Sequence, residues 1–414
     1  MLPLGIASGP AGLGPRLVVG VGTQALDLVA ACQAGVLDVD LDPGVLAASS
    51  LNSLLEAGAE AWRAVRDGAA ALVCDPAALP PGVLVDADGL SMHLPVRVGD
   101  YVDGYGGIHH AVNMGRIFRP GTEPLAPNWR HMPVAYHGRA GTVVVSGTPI
   151  ARPCGLVAGE PDPVLAPTTR LDIELEVGVI VGTGNDPGCP IEAADALDHV
   201  FGVVLLDDWS ARDVQAYESQ PLGPFLGKSF ATSISAWVVP LDALRPFLVP
   251  GLPSRQDPAP APYLHAAEPA VPDLRLQVLL STAAMRRAGT APAVISEVRF
   301  AEAMYWSMAQ QLAHATVNGA STRPGDLFGS GTASGPDPRT SGGSLLELTW
   351  GGSRPIDLPS GERRTFLEDG DTITLRGWCG GVGDSPTVSP DGAGDAPTIA
   401  LGEVTGTVVP ARHG

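Results

Sequence analysis

From about residue 97 onward, short apolar or alternating runs recur between Gly/Pro turns: GTVVVSGTPI, LDIELEVGVIVG, VFGVVLLDDW, SAWVVPL, LRLQVLLST, SLLELTW and DTITLRGW. Alternation and β-branched content predict strands. Helical spacing predicts α-structure over 191–200 and, most clearly, over 298–317, VRFAEAMYWSMAQQLAHATV. Upstream the text differs. Residues 16–30 predict a strand, a tight turn and a second strand or short helix. The Ala/Leu-rich stretch 44–77 places Leu51, Leu54, Leu55, Ala59 and Trp62 at helical spacing. An extended SMHLPV segment follows Pro80 and Pro81, and a domain boundary is placed near 96. The segments 250–272 (Pro-rich) and 380–396 (Gly/Asp-rich) predict surface loops. The expected class is mainly β with some α, in two domains, 1–96 and 97–414.

Composition sharpens this picture. A chain of 414 residues exceeds the roughly 100–200 of a single ordinary domain. With 45% hydrophobic and 17% charged residues, it can bury a sizeable core. Its 52 glycines and 40 prolines favour many short strands over long helices. A net charge of −19 repels phosphate backbones and anionic lipid, so no nucleic acid or membrane partner is expected. Cys32, Cys74, Cys154, Cys189 and Cys379 are scattered and form no CxxC pair, which suits a reduced, cytoplasmic protein. No apolar run approaches the ~18 residues of a membrane helix, and the start lacks the basic region of a signal peptide. GVGTQA near residue 20 imitates a dinucleotide fingerprint, but no clear βαβ pattern surrounds it. A small hairpin is the plainer reading.

Three clusters could carry chemistry. In LDIELEV a strand puts Glu174 and Glu176 on one face, with Asp172 beside them. That face is either solvated or a site for a hard cation, which takes oxygen ligands. In VVLLDDWSARDVQAYESQPLGPFLGKSF, a buried strand runs into Asp207 and Asp208, costly unless they are paired or metal-bound. Arg212, Asp213, Gln215 and Lys228 follow closely, with positive charge available for an anionic substrate. DYVDGYGGIHHAVNMGRIFRP mixes Asp103, Tyr105, His109, His110 and two arginines with glycines. Two adjacent histidines cannot both face one site from a helix, so at most one is catalytic.

At these motifs the chain resembles the fumarylacetoacetate hydrolase family. The similar stretches are MHLPVRVGDYVD, HHAVNMGRIFRP, PNWRHMPVAYHGRAGTVVVSGTPI, LDIELEV, DDWSARDVQAYE, PLGPFLGKSF, MYWSMAQQLAH, TRPGDLFGSGTASGP and LLELTW, in family order from about 92 to 350, with LNSLLEAGAEAW at 51–62. The resemblance implies a small SH3-like N-terminal domain, a large mixed β-sandwich-roll catalytic domain and a homodimer. It implies metal-dependent hydrolysis of a carbon–carbon bond in a β-dicarbonyl, fumarylacetoacetate itself, as in tyrosine degradation. By motif, Asp103, Glu174, Glu176 and Asp208 match the ligands of Ca2+ or Mg2+. Lys228 and Thr232 match a second Mg2+ site. His110 matches the general base and Glu347 the carboxylate that orients it. Arg212, Gln215 and Lys228 match the groups around the reacting carbonyl, and Tyr105, Arg119, Tyr136, Gln215 and Thr332 the substrate contacts.

Five positions near this site are smaller than the family pattern: Gly104, Gly106, Gly107, Ser219 and Ala333. They raise an alternative, a wider pocket beside the metal for a different or bulkier β-dicarbonyl that is hydrolysed, decarboxylated or isomerised. A purely non-catalytic role fits poorly with complete metal and base positions.

Overall fold

Two strands, Leu175–Val181 and Val200–Asp207, form the centre of the molecule and are buried along their whole length. Burial on both faces is why each reads as a near-continuous apolar run. The computed structural model describes residues 2–9, 13–266, 270–380 and 398–412. The loop expected at 380–396 lies outside them, apart from Gly380. The two central strands pair antiparallel, Leu175 opposite Asp207 and Glu176 opposite Leu206. Leu327–Gly329 joins next, with Gly178 opposite Gly329. Tyr101–Gly104 then pairs parallel to it, Asp103 opposite Gly329, and Ala135–His137 follows, Tyr136 opposite Asp103. This succession of neighbours carries the acids of three separate motifs to one end of the sheet.

On the other side, Trp237–Pro240 pairs with Val200–Asp207 and also with Leu4–Gly9. The sheet continues through Leu13–Val21, Gln24–Asp27 and Leu84–Asp86. The small N-terminal meander is thus hydrogen-bonded into the catalytic sheet. One apolar core takes Leu17, Leu26 and Leu54 together with Ile180, Val204 and Leu206. A second sheet, in the order Ala293–Arg299, Arg275–Ser281, Thr372–Cys379, Ile399–Val409 and Ile150–Ala151, packs over the central strands. Val203 and Leu205 meet Leu276, Leu375 and Val404 between the layers. Burying each such side chain contributes about 1.5–3 kcal/mol. The strand-rich class, with a small N-terminal part and a large sandwich, is the one expected.

The GVGTQA segment is a hairpin, Val21 opposite Gln24, with Gly22 at φ +60° in its two-residue turn. Four local expectations are corrected. SLLELTW is not a strand: Leu345–Leu348 is one helical turn, because Ser344 accepts the Glu347 amide and caps it. The 298–317 pattern is not one helix. A strand runs to Arg299, Phe300–Ala303 is a single turn, and Met308–Thr316 starts afresh at a capping box of Ser307 and Gln310. Over 191–200 only a tight 3-10 turn forms, Ala196–His199, before the buried strand claims Val200. Finally, LDIELEV is interrupted at Ile173–Glu174. Leu171–Asp172 pairs instead with Ser210–Ala211, which takes Asp172 away from the face of Glu176.

Candidate active site

Asp103, Glu176 and Asp208 each offer a carboxylate oxygen, all within 4.8 Å of one another, and all three are buried. The local chain explains the approach. A Cβ at Gly329 would lie 2.7 Å from Glu176 Oε2, so only glycine lets that carboxylate pass. Gly331, at φ +84°, donates its amide to the same oxygen at 2.9 Å. Glu176 Oε1 is buried without a hydrogen-bond partner. Burial, and then repulsion among these acids, pushes the carboxyls of Asp103 and Glu176 well above the usual range. Burial also raises Asp208, against the opposing pull of Lys228. A buried all-oxygen triad with an orphaned carboxylate oxygen fits a hard divalent cation. The solvated-face reading of the Glu-x-Glu strand is excluded, since Glu174 is 5% and Glu176 0% exposed.

Glu174 is not one of these three. Its Oε2 lies 2.5 Å from Lys228 Nζ and its Oε1 2.7 Å from Arg212 Nη1. Burial pushes its carboxyl up, but Lys228, Arg212 and His110 together hold it well below the usual range. Lys228 also donates to Asp208 Oδ2, and Thr232 Oγ1 reaches Asp208 Oδ1 at 3.3 Å. Lys228 therefore acts as counter-ion to two acids. Its ammonium, kept protonated by Asp208 and Glu174 despite burial, is a donor and not a ligand. Asp207, although adjacent to Asp208, does not join the triad; its Oδ1 accepts the Glu174 amide at 3.2 Å.

The second element of the site is the helix Ile108–Phe118, which buries His110 and Asn113 one turn apart. Both face Glu347. His110 Nδ1 is 2.7 Å from Glu347 Oε2, and Asn113 Nδ2 donates to Oε1 at 2.8 Å. Ser334 and Ser344 hydroxyls donate to Oε2, each at 2.9 Å. Burial raises the Glu347 carboxyl, but His110 and these donors more than offset it, so it stays ionised. An ionised carboxylate only accepts, so His110 Nδ1 carries a proton, and Nε2 is the nitrogen left to act as the base when the ring is neutral. Nε2 lies 3.6 Å from Glu174 Oε1, too far for a hydrogen bond. The Tyr105 ring meets His110 edge-on, centroids 5.6 Å apart. His109 is half-buried, has no bond to Glu347, and burial lowers its pKa.

Arg212 opens the helix Arg212–Glu218. Its Nη1 donates to Gln215 Oε1 at 3.1 Å, and its Nη2 is buried without an acceptor. Thr332 Oγ1 is likewise buried and unpartnered. Two orphaned donors beside the histidine are what a substrate carbonyl would satisfy. Arg119 lies at the exposed end of its helix, donating to the Pro124 carbonyl at 2.8 Å, yet its charge still reaches Tyr105. Tyr136 lies over Asp103 and lines a cavity of about 270 Å³ with Asp103, Asp208, Lys228, Thr232, Arg139 and Phe225. Sequence reasoning gave no role to Asn113, Ser334 or Ser344. Asn113 could have been found, because it is three residues from His110.

The expected wide pocket is not formed. A Cβ at Gly104 would lie 2.4 Å from the Gly329 carbonyl oxygen, at Gly106 2.8 Å from that of Ser330, and at Gly107 2.2 Å from that of Thr332. The 329–332 backbone fills the space that larger side chains would need. Ala333 is fully buried in the apolar core, and Ser219 hydrogen-bonds the Gln215 carbonyl at the end of its helix. None of the five borders the cavity of Tyr136. Gly107→Ser is accordingly expected to destabilise the protein by about 1–3 kcal/mol, as overpacking does, measured as a lowered denaturation midpoint.

This fold and this site define a strand-rich enzyme in which a histidine–glutamate pair stands beside buried carboxylates shaped for a cation. Residues 101–409 match the family model described as fumarylacetoacetate (FAA) hydrolase C-terminal, and residues 1–95 match fumarylacetoacetase N-terminal. The chain belongs to the fumarylacetoacetate hydrolase family. It is 44% identical to the fumarylacetoacetase of Homo sapiens, over 99% of this chain and 95% of that protein. With the fumarylacetoacetase of Arabidopsis thaliana it is 41% identical over 99% and 94%. Among solved structures, the fumarylacetoacetate hydrolase of Exiguobacterium antarcticum shares the fold, with a TM-score of 0.53 at 14% identity, covering 100% of both chains.

Proposed function

We propose that this chain hydrolyses fumarylacetoacetate to fumarate and acetoacetate, the carbon–carbon cleavage of tyrosine catabolism. The observation that carries the reading is the 2.7 Å contact of His110 with Glu347, placed against Glu174 beside the acidic triad. Fumarylacetoacetases sharing 41–44% of their residues with nearly the whole chain support the substrate. The closed packing at Gly104, Gly106 and Gly107 removes the reason for a bulkier one.

His110, its Nδ1 proton held by Glu347, takes a proton from water at Nε2. The hydroxide oxygen bonds to the ketone carbon that joins the fumaryl part to the rest. The free Arg212 Nη2 donates to the oxyanion that develops, steadied by Gln215 at Nη1, with the Lys228 ammonium adding positive charge. Collapse breaks the carbon–carbon bond, its electron pair passes to acetoacetate as an enolate, and His110 returns the proton there. Thr332, Tyr105, Tyr136 and Arg119 supply polar contacts for the remainder of the substrate. A hard divalent cation, Ca2+ or Mg2+, held by Asp103, Glu176 and Asp208, supplies Lewis-acid polarisation of the dicarbonyl when bound. The second Mg2+ that the resemblance implies at Lys228 and Thr232 is not part of the proposal, because the Lys228 ammonium donates to Glu174 and Asp208 and offers no lone pair to a cation.

A homodimer is part of the proposal. It is supported by Leu222, 96% exposed, and by Leu165 and Phe225, 71% and 58% exposed. A cytoplasmic setting is supported by cysteines that form no disulfide among the described residues. Among the described residues no helix is long and apolar enough to cross a membrane. The test is steady-state assay of the cation-loaded protein on fumarylacetoacetate beside bulkier acylpyruvates. Fumarate and acetoacetate in equal amounts, with fumarylacetoacetate the best substrate, are expected. Preference for a bulkier analogue would overturn the reading.

A further inference from the structure

We propose that Asp172 is a positioning residue for the reaction, one carboxylate that sets both the Arg212 guanidinium and the turn carrying Glu347. The inference rests on the activity proposed above. Asp172 is fully buried, and four donors converge on it. Its Oδ2 accepts from Arg212 Nε at 2.8 Å and from the Leu346 amide at 3.0 Å. Its Oδ1 accepts from the Leu345 amide at 2.7 Å and from the Ile173 amide at 2.8 Å.

Each half of this arrangement acts on a different side of the chemistry. With Nε fixed, the planar guanidinium has one orientation: Nη1 reaches Glu174 at 2.7 Å and Gln215 at 3.1 Å, and Nη2 is left as the free donor. The turn Leu345–Leu348 has four residues. A turn so short cannot hold itself, since its first amides have no partner within the helix. Asp172 takes two of them, and Glu347 is the next residue along. The carboxylate thus fixes the donor to the oxyanion and, through Glu347, the ring of His110. The interruption of LDIELEV makes this possible, because the pairing of Asp172 with Ser210 lays it against the start of the Arg212 helix.

Asn at this position keeps the shape but presents an amide in place of one acceptor oxygen, so Arg212 or the turn must let go. A shift of about 1 Å in a catalytic group costs on the order of 10²-fold in rate. Full-length, cation-loaded wild type and Asp172→Asn are compared on fumarylacetoacetate, and the crystal structure of the variant is determined. Expected are a fall in kcat of about 10²-fold, KM within about threefold of wild type, and Arg212 or Glu347 displaced. Asp172→Asn/Arg212→Gln should be slower than Arg212→Gln by clearly less than the full Asp172→Asn factor, since only the part of the loss that passes through Glu347 remains. Unchanged kcat, full multiplication of the two losses, or both groups found in place would overturn the inference. Should Asp172→Asn not fold, Asp172→Ser takes its place; failure of both to fold makes Asp172 a folding residue and likewise overturns it. A wild type inert on fumarylacetoacetate would overturn the proposed function instead, while the variant's structure still decides the role of Asp172.

Discussion

Replacing His110 with alanine is expected to lower kcat on fumarylacetoacetate by about 10²–10⁴-fold, the worth of a general base, with the fold intact. The ring lies within a four-donor network around Glu347, and its Nε2 has no protein hydrogen-bond partner to compete for the lone pair. Glu347→Gln should reproduce much of the loss, because an amide in place of the carboxylate no longer fixes the proton on Nδ1. His109→Ala should change kcat by less than about threefold, the range of an uninvolved, half-buried side chain. Steady-state kinetics with circular dichroism check all three. Near-wild-type turnover in His110→Ala, or its abolition in His109→Ala, would place the base elsewhere.

The other large effect concerns the triad. Stripping divalent cations with a chelator is expected to abolish turnover and to lower the thermal midpoint. Adding Ca2+ or Mg2+ should restore both. Asp103, Glu176 and Asp208 repel one another in a dry site, and a bound cation relieves that repulsion. Ligand at a hundredfold over its Kd stabilises the folded state by about 2.7 kcal/mol. Glu176→Gln should weaken the cation by at least the 10–100-fold, roughly, that loss of an outer-shell partner costs. Elemental analysis and calorimetric titration give readouts independent of activity. A protein that holds no divalent ion, and whose thermal midpoint ignores chelation, would contradict the assignment.

Much of this protein is legible from residue pattern alone. The central strands announce themselves, because a strand buried on both faces must be apolar along its length, as Val177–Val181 and Val203–Leu206 are. The N-terminal hairpin follows from its glycine turn. The chemistry-bearing residues are also readable, since Asp208 after an apolar run or Glu174-x-Glu176 in a strand would be costly without a partner.

Which partner each acid meets was decided only by the tertiary structure. Three carboxylates far apart in the chain converge because successive sheet neighbours bring them together, and strand register is a long-range property. The break at Ile173–Glu174 sends Glu174 to Lys228 and Arg212, and Asp172 to the turn of Glu347, although alternation puts all three acids on one face. SLLELTW reads as a strand by composition, yet a cap from its own first residue, Ser344, and one from outside the segment, Asp172, make it helical. The pocket shows the same limit. Five small residues suggest empty space, but the 329–332 backbone moves in against three of them. Whether a missing side chain leaves a cavity depends on what packs there, because protein interiors close to high density wherever the backbone can approach.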